Sequence, residues 1–344
     1  MAFQNMGTIN GGMIQSSAKA MGAMDAAPGL ASGLASGGAF LESELEKRDT
    51  MIRKPLTSVT YPRDIEIDVG GGWADYVSAM SVSYGLTGGS GASPVTAGGA
   101  NAIPVVQASV DKGLFKAHAF QVALRIMYQD MQRANFVGRS LDSLLTDGVR
   151  LAYDMHVEQN VYVGIADYNT TGLLNNADVT ATTVANGAGG TATWVTKTPA
   201  EILKDINDAI TTIWGTAGYD MDAIPNHILL PYEQYAYILN TPVSALATES
   251  ILDYVQKNNI ATKNGVDLFI GATKWNKGIG TGGADRMVVY VNKRRYLKMD
   301  ELVPLTRAMY LANATENAYD TSYVANITEP EVMYTQTIMY FDGI

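Results

Sequence analysis

The chain has 344 residues, of which 47% are hydrophobic and 17% charged, and its formal net charge at pH 7 is −10. The acidic balance argues against a dedicated nucleic-acid binder, because such a protein needs a basic face to displace counterions from phosphates. The sequence contains no cysteine, which excludes disulfides and cysteine-ligated zinc or iron–sulfur sites.

The length suits one large domain or two closely joined ones. No apolar stretch approaches about 18 residues, so no membrane-spanning helix is predicted. The N-terminus has no basic region followed by an apolar core, so no signal peptide is predicted. We therefore expect a soluble, cytoplasmic chain. Its charged content lies below the ~25% typical of globular proteins, which indicates tight packing or a surface covered by partners.

The N-terminal segment, residues 1–39, is rich in Ala, Gly, Ser and Met and has no hydrophobic period. Such a composition buries too little apolar surface to offset ordering entropy. It is equally consistent with an arm that orders against neighbouring molecules and with a plain disordered tail. Residues 40–48 are charged and predict a brief helix.

Two extended runs then flank a stretch rich in glycine and serine. Residues 65–69 and 73–84 alternate with a period of two, residues 85–94 form a tip, and residues 103–110 are extended again. The pattern predicts a long β-hairpin. A two-stranded ribbon is marginally stable alone, so we expect this one to pack on another molecule.

A strand is predicted over residues 117–128 and a long helix from Ser140 to about residue 162, a length of ~33 Å. Ser140 can cap the helix and Asp142 lies in its positive first turn. Gly148 inside the helix costs about 1 kcal/mol relative to alanine. This glycine indicates either the close approach of another backbone or a merely tolerated residue.

From residue 198, helices alternate with short apolar strands. Residues 198–201 combine a capping threonine, a proline at the first helical position and Glu201 three residues after the cap. Gly215 is predicted to end that helix. The remaining predictions are strands at 227–230, 266–270 and 287–291 and helices at 231–239 and 248–255. This alternation indicates an α/β domain. Residues 331–341 alternate and predict one last strand, central to a sheet.

Residues that could carry chemistry form no recognisable motif. His118, His156 and His227 fall on three different predicted elements without metal-ligand spacing, so we interpret each as structural. The glycine-rich runs 85–91 and 277–283 lack the Gly-Lys-Ser/Thr ending of a phosphate loop and are predicted as loop tips.

Two clusters of charged residues are likewise interpreted as having no catalytic or cation-binding role. The acidic one comprises Asp205, Asp208, Asp220 and Asp222. It lacks an EF-hand pattern and predicts solvated faces rather than a cation site. The basic one comprises Lys293, Arg294, Arg295 and Lys298. Contact with another subunit is favoured for it over contact with DNA or water alone. We predict no catalytic, cofactor-binding or metal site, and no enzyme.

The order of these parts resembles the major capsid protein of tailed bacteriophages, which has the Hong Kong 97-type fold. Residues 172–175 after the long helix resemble that family's short loop. Residues 228–232 resemble its strand-to-helix step, and residues 288–291 with 296–299 resemble a late segment of one subfamily. The resemblance covers residues 40–344. Neither the Lys nor the Asn of the family's known inter-subunit cross-link can be placed on this sequence.

The resemblance implies an α+β fold with a defined division of the chain. The implied parts are an N-terminal arm (1–62, with 1–39 flexible), an extended β-hairpin loop (63–116), a peripheral domain (117–197 and 293–344) with a spine helix at about 140–162, and an inserted α/β axial domain (198–292).

The implied function is a structural subunit that assembles as hexamers and pentamers into an icosahedral head. The head encloses double-stranded DNA without sequence-specific binding, in the virion, after assembly in the host cytoplasm. The implied partners are copies of the chain and portal, scaffolding and decoration proteins, with no membrane and no cofactor. Two alternatives stay open: an encapsulin-like compartment, with a shorter hairpin and a cargo pocket, and a soluble oligomeric enzyme, with clustered titratable residues.

Overall fold

The structure is a computed structural model, which describes residue 55 and residues 57–87, 105–137, 141–244 and 248–344. Residues 1–54 and 56 of the predicted arm, which include the predicted helix at 40–48, lie outside the described residues, as do residues 88–94 of the predicted tip and Ser140.

The described residues form helices and strands, and the strands make up two sheets. The α-helices are α1 (Tyr61–Asp64), α2 (Tyr128–Val137), α3 (Leu141–Tyr162), α4 (Pro199–Thr216), α5 (Tyr232–Asn240), α6 (Ile251–Asn258) and α7 (Ile260–Lys263). The strands are β1 (Ile67–Val69), β2 (Tyr76–Thr87), β3 (Val105–Met127), β4 (Ala181–Thr183), β5 (His227–Pro231), β6 (Phe269–Thr273), β7 (Arg286–Tyr290), β8 (Leu297–Asn313), β9 (Ala318–Thr328), β10 (Glu331–Val332) and β11 (Ile338–Asp342).

The first sheet has the order β1-β8-β9-β3-β2, with β10 paired to β8. Its longest strand, β3, has 23 residues and two successive partners. Up to Lys116 it pairs antiparallel with β2, which confirms the predicted hairpin. From Ala117 onward it pairs antiparallel with β9, beginning opposite Thr328. One unbroken strand therefore leaves the hairpin and becomes part of the sheet.

The long helix α3 packs against this sheet. Tyr153, Val157 and Val161 repeat every four residues and are buried, because residues four apart share one helix face. They share a core with Met299 on β8 and Ile327 on β9. The predicted long helix is confirmed and its first residue in the structure is Leu141.

The second sheet has the order β4-β11-β7-β5-β6. Helix α4 covers it with the fully buried side chains of Ile202, Ile206 and Ile210. The predicted capping box is present at Thr198, with Pro199 in the first turn, and the helix ends at Thr216, one residue beyond the predicted stop. The predicted internal position of the last strand is also confirmed, because β11 lies between β4 and β7.

Three predictions of local structure were wrong. Residues 128–137 are helical although no helix was predicted there, because α2 is largely exposed and has no apolar period. The strand expected at 266–270 begins at Phe269, since the Val266 amide is still bonded to the Ala261 carbonyl of α7. Residues 331–341 are not one strand, because a 3₁₀ turn at Thr335–Thr337 separates β10 from β11.

Sheet membership does not follow the order of segments along the chain. Strand β4 precedes residue 198 and β11 follows residue 292, yet both are hydrogen-bonded into the second sheet. The α/β unit is therefore completed by strands from both flanking segments.

Candidate interaction surfaces

The hairpin carries apolar side chains on one face. Opposed residues of paired strands share a face, and alternate residues of each strand share it too. Val82 lies opposite Val110, and Met80 and Tyr84 flank Val82 on that face. Met80 is 73% exposed and Tyr84 75% exposed. This apolar face is uncovered in the described subunit, whereas single soluble chains seldom expose large apolar patches.

The opposite face of the hairpin is small or polar from Ala79 to Ser83, and it carries Val77 and Phe115 nearer the root. It includes Ala79 and Ser81, with Asp111 as the cross-strand partner of Ser81. These residues line a groove together with Arg295 and Tyr334 of the same chain. Met80 and Phe115 line the same groove, so both faces of the hairpin approach their own subunit at its root. Val82, Tyr84 and Val110 lie outside this groove and are exposed.

A second exposed apolar surface lies at the far ends of β8 and β3. Met309 and Leu311 on β8 are exposed, and so is Met127 at the end of β3. Phe136 on the neighbouring helix α2 is 94% exposed. Tyr310 stacks on Tyr319 of β9 with ring centroids 5.7 Å apart, which stiffens this end of the sheet.

A polar network holds the segment before β1 against α3. The buried carboxylate of Glu158 accepts hydrogen bonds from the Thr60 amide at 2.7 Å, from the Thr60 hydroxyl at 3.0 Å and from the Tyr61 amide at 3.1 Å. The Trp275 indole lies 3.4 Å from the same carboxylate. A single side chain of α3 thus satisfies several groups of another segment, which is the usual requirement for burying a charge.

Asp64 forms a second buried centre beside this network. Its carboxylate accepts hydrogen bonds from Arg63 at 2.6 Å and from the Tyr162 hydroxyl, and the Tyr290 hydroxyl donates to its backbone carbonyl at 2.6 Å. Nε2 of His227 lies 3.7 Å from the Asp64 carboxylate. Burial acts to raise the pKa of Asp64, but the His227 imidazole, the Arg63 guanidinium and the Tyr162 hydroxyl outweigh burial and lower it.

The basic cluster finds counter-charges within the chain, and its predicted contact with another subunit stays a prediction. Lys293 is 2.6 Å from Asp222, and Arg295 is 3.7 Å from the same carboxylate. Arg294 forms an ion pair with Asp68.

Lys298 also has partners within the chain, because it is 2.6 Å from Asp300 and 3.5 Å from the buried Glu331. Burial and the Asp300 charge raise the pKa of Glu331 to about 7, against the opposing effect of Lys298.

The acidic residues divide into two kinds. Asp208 is exposed and pairs with Lys204 one helical turn away, as expected for a solvated face. The side chain of Asp205 is only 8% exposed and lies 2.6 Å from the buried Lys197, which corrects the prediction of a solvated face for this residue. Sequence reasoning missed Lys197 as its partner, because the contact depends on how the loop before α4 folds back.

Two of the three histidines lie next to each other. This corrects the expectation, drawn from their spacing in the sequence, that the three are far apart. The rings of His118 on β3 and His156 on α3 lie 5.6 Å apart. His227 is elsewhere, beside Asp64. In the part of the chain that the structure describes, no three His, Cys, Asp or Glu side chains are grouped to hold a metal ion.

The glycine-rich run at 277–283 is the loop between β6 and β7, with a 3₁₀ turn at Thr281–Gly283. Residues 85–87 of the other run belong to β2, and residues 88–91 lie outside the described residues. None of the helices that the structure describes is both long and apolar enough to cross a membrane.

A family model described as the major capsid protein matches residues 91–344. Among solved structures, the capsid of Myoviridae phage XM1 is similar with a TM-score of 0.71 and 15% identity, over 88% of this chain and 98% of that one. The capsid of a native GTA particle has a TM-score of 0.61 and 12% identity, over 93% and 99%. The corresponding values for Gordonia phage Cozz are 0.56 and 14%, over 94% and 97%. No curated protein matches the sequence.

Proposed function

The chain belongs to the major capsid protein family, and we propose that this shell subunit assembles as hexamers and pentamers into an icosahedral head around double-stranded DNA. The expected α+β phage capsid fold is confirmed by the similar capsid structures. Neither the compartment alternative nor the enzyme alternative has support among these similarities. The subunit works through self-assembly, so many weak contacts repeated by symmetry replace a single active site.

The observation that carries the proposal is the hairpin with its uncovered apolar face. Because β3 passes unbroken from the hairpin into the sheet, the hairpin is anchored on a rigid element. Its root lines a groove with its own subunit, while Val82, Tyr84 and Val110 lie outside that groove and are exposed. A copy of the same chain is the partner that a repeating lattice supplies for this face.

The charge distribution supports enclosing DNA without binding a sequence. The chain carries a net charge of −10, and the basic cluster at 293–298 is neutralised by carboxylates of the same chain. A wall of this kind has little surplus positive charge with which to hold phosphates. Packaged DNA is then confined by the shell rather than bound to it.

The finer division of the chain and of its partners belongs to the same proposal. Residues 1–62 form the arm, 63–116 the extended hairpin, 117–197 and 293–344 the peripheral domain, and 198–292 the axial domain, which β4 and β11 complete. The subunit has no catalytic role. It assembles in the host cytoplasm with portal, scaffolding and decoration proteins.

The proposal is tested by negative-stain electron microscopy after size-exclusion chromatography. Wild-type protein is expected to form closed shells or rings of hexamers. The triple variant Met80→Thr, Val82→Thr and Tyr84→Thr makes the apolar face polar while keeping strand-forming residues. It is expected to fold normally and to lose assembly.

The matched control is Ser81→Thr with Ser83→Thr, which places the same side chain on the opposite face of β2. It should assemble as the wild type does. Shells that form equally well from the triple variant would contradict the role of the hairpin face. A discrete small oligomer of wild-type protein under all salt and scaffold conditions would contradict the shell itself. Nuclease-protected DNA inside the particles separates a virion from a cargo compartment.

A further inference from the structure

Three ring nitrogens lie buried without a hydrogen-bond partner where α3 crosses β3. They are Nδ1 and Nε2 of His118 and Nε2 of His156, for which no partner exists among the described residues. His118 is only 6% exposed. Buried polar atoms in native proteins are nearly always paired, so each unpaired one calls for an explanation. These atoms lie at the root of the hairpin. His118 is the second residue of β3 after the strand stops pairing with β2 and begins to pair with β9.

The immediate surroundings of the two rings are aromatic. Phe120 lies 5.0 Å from His156, and Tyr168 stacks on His118 at 5.6 Å. Tyr153 on α3 lies 5.5 Å from Phe120 and donates its hydroxyl to Glu301, away from the imidazoles. Burial without a hydrogen-bond acceptor disfavours the imidazolium form of either ring relative to the neutral form.

The charged groups on the surrounding elements are engaged elsewhere. On β3 the Lys116 amine donates to the Asn169 carbonyl, in the loop after α3, at 3.2 Å. After β9, Glu329 accepts from the Lys116 amide at 3.0 Å and from the Thr171 amide at 3.3 Å. Asp167 lies in the same loop on an exposed 3₁₀ turn. Neither ring of the pair forms an ion pair with a carboxylate in the described structure, so no anion is in place to hold a proton there.

We propose that the His118–His156 contact is an acid-sensitive latch, which holds α3 against β3 while both rings are neutral and loosens when either is protonated. Protonation would place a cation among aromatic rings and beside a second basic ring. Opening the contact lets water hydrate that cation. The latch therefore makes the packing of α3 against β3, at the root of the hairpin, depend on pH.

The direction of the pH effect follows from the environment of the rings. Burial, together with the neighbouring His156, lowers the pKa of His118 to about 4, and burial lowers the pKa of His156. Histidine in an open chain has a pKa near ~6.5. A group whose pKa is lowered in the folded state binds its proton preferentially in the opened state. The contact is thus at full strength above about pH 6.5 and weakens as the pH falls toward 4.

The latch belongs to the single subunit, so it is tested on the unassembled full-length chain and does not depend on shell formation. Hydrogen–deuterium exchange of peptides from β3 and α3 is measured at pH 7.5 and 5.0 with EDTA present, corrected for the intrinsic pH dependence of exchange. In wild-type protein the opening equilibrium is expected to rise on the order of tenfold between the two pH values.

Two variants and a control identify the rings responsible. His118→Phe keeps an aromatic ring against Tyr168 and should remove most of the pH dependence, and His156→Leu should reduce it. The control is His227→Gln, which changes the third histidine and should leave the tenfold rise intact. Equal pH dependence in the wild type and in His118→Phe would overturn the proposal.

A nuclear magnetic resonance titration of the wild-type imidazoles gives a second readout that needs no variant to fold. A His118 ring that titrates near pH 4 supports the latch. A His118 ring that titrates near pH 6.5 overturns it, because its proton would then not distinguish the closed contact from the open one.

Discussion

The carboxylate of Glu158, near the end of α3, accepts a 2.7 Å hydrogen bond from the backbone amide of Thr60, a residue 98 positions earlier. Thr60 immediately precedes α1 and Glu158 lies one turn before the end of α3. The contact joins the beginning of the described chain to its longest helix. Because Trp275 of the α/β unit also approaches this carboxylate, one side chain links three parts of the subunit.

Glu158→Ala is therefore expected to lower the free energy of unfolding by about 2–4 kcal/mol, since it leaves two backbone amides and a hydroxyl without their acceptor. Urea unfolding at pH 7 measures the loss. The control is Gln159→Ala, at the next, exposed position of the same helix, which should change the free energy by less than about 0.5 kcal/mol. Equal effects of the two variants would refute the role of Glu158.

Glu331 is expected to make the protein less stable as the pH rises through neutrality. Its pKa is about 7 in the folded protein, above the value of an open chain, so its contribution is full below about pH 4.5 and is lost as the pH rises through 7. Glu331→Gln has no such titration. Between pH 4.5 and 8, the unfolding free energy should shift on the order of 2 kcal/mol in favour of the variant.

The measurement for Glu331 is a series of urea-unfolding curves across this pH range. Asp208→Asn, which changes an exposed carboxylate, serves as the control and should run parallel to the wild type. A Glu331→Gln curve that also runs parallel to the wild type would show that the buried carboxyl does not titrate in this range.

Gly172 is expected to tolerate no side chain. A Cβ atom built there would lie 2.3 Å from the backbone carbonyl carbon of Tyr162, at the end of α3. Backbone atoms on both sides must move to admit it, so Gly172→Ala should cost at least about 3 kcal/mol of stability or prevent folding. Thermal unfolding followed by circular dichroism measures this loss. A melting temperature within a degree or two of the wild type would contradict the close approach.

Gly148→Ala, within α3 itself, provides the opposite case. A Cβ atom at Gly148 meets no atom of the described chain within 4 Å, so within one subunit the substitution should raise stability by up to about 1 kcal/mol. The same variant is then tested for assembly by electron microscopy. Normal shells would mean that the glycine is merely tolerated. Stable subunits that fail to assemble would mean that a neighbouring backbone packs against it.

Local signals in the sequence predicted the elements that depend on local chemistry. The cap at Thr198 with Glu201 is such a case, because the donor and the acceptors lie three residues apart. The hairpin is another, because its alternation reflects the two faces of a strand. The helix α2 escaped prediction because its surface is mostly exposed and therefore carries no apolar period.

Contacts between residues on different elements depend on the fold, so they could not be predicted from residue spacing in the sequence. His118 and His156 meet only because α3 lies across β3, and Lys197 meets Asp205 only because the preceding loop folds back. The partners that the basic cluster has within the chain escaped prediction for the same reason. The carboxylates of Asp68 and Asp222 lie far away in sequence, and only the folded chain brings them to Arg294 and Lys293.

The unbroken strand β3 also has a mechanical consequence. Hydrogen bonds of an antiparallel pair run perpendicular to the strands. A pull on the hairpin along β3 therefore loads its bonds to β9 in shear, along a ladder of eleven opposed residues, instead of peeling them apart one by one. Tension between neighbouring molecules would be transmitted straight into the sheet through β3, where the load is shared across the whole ladder with β9 at once.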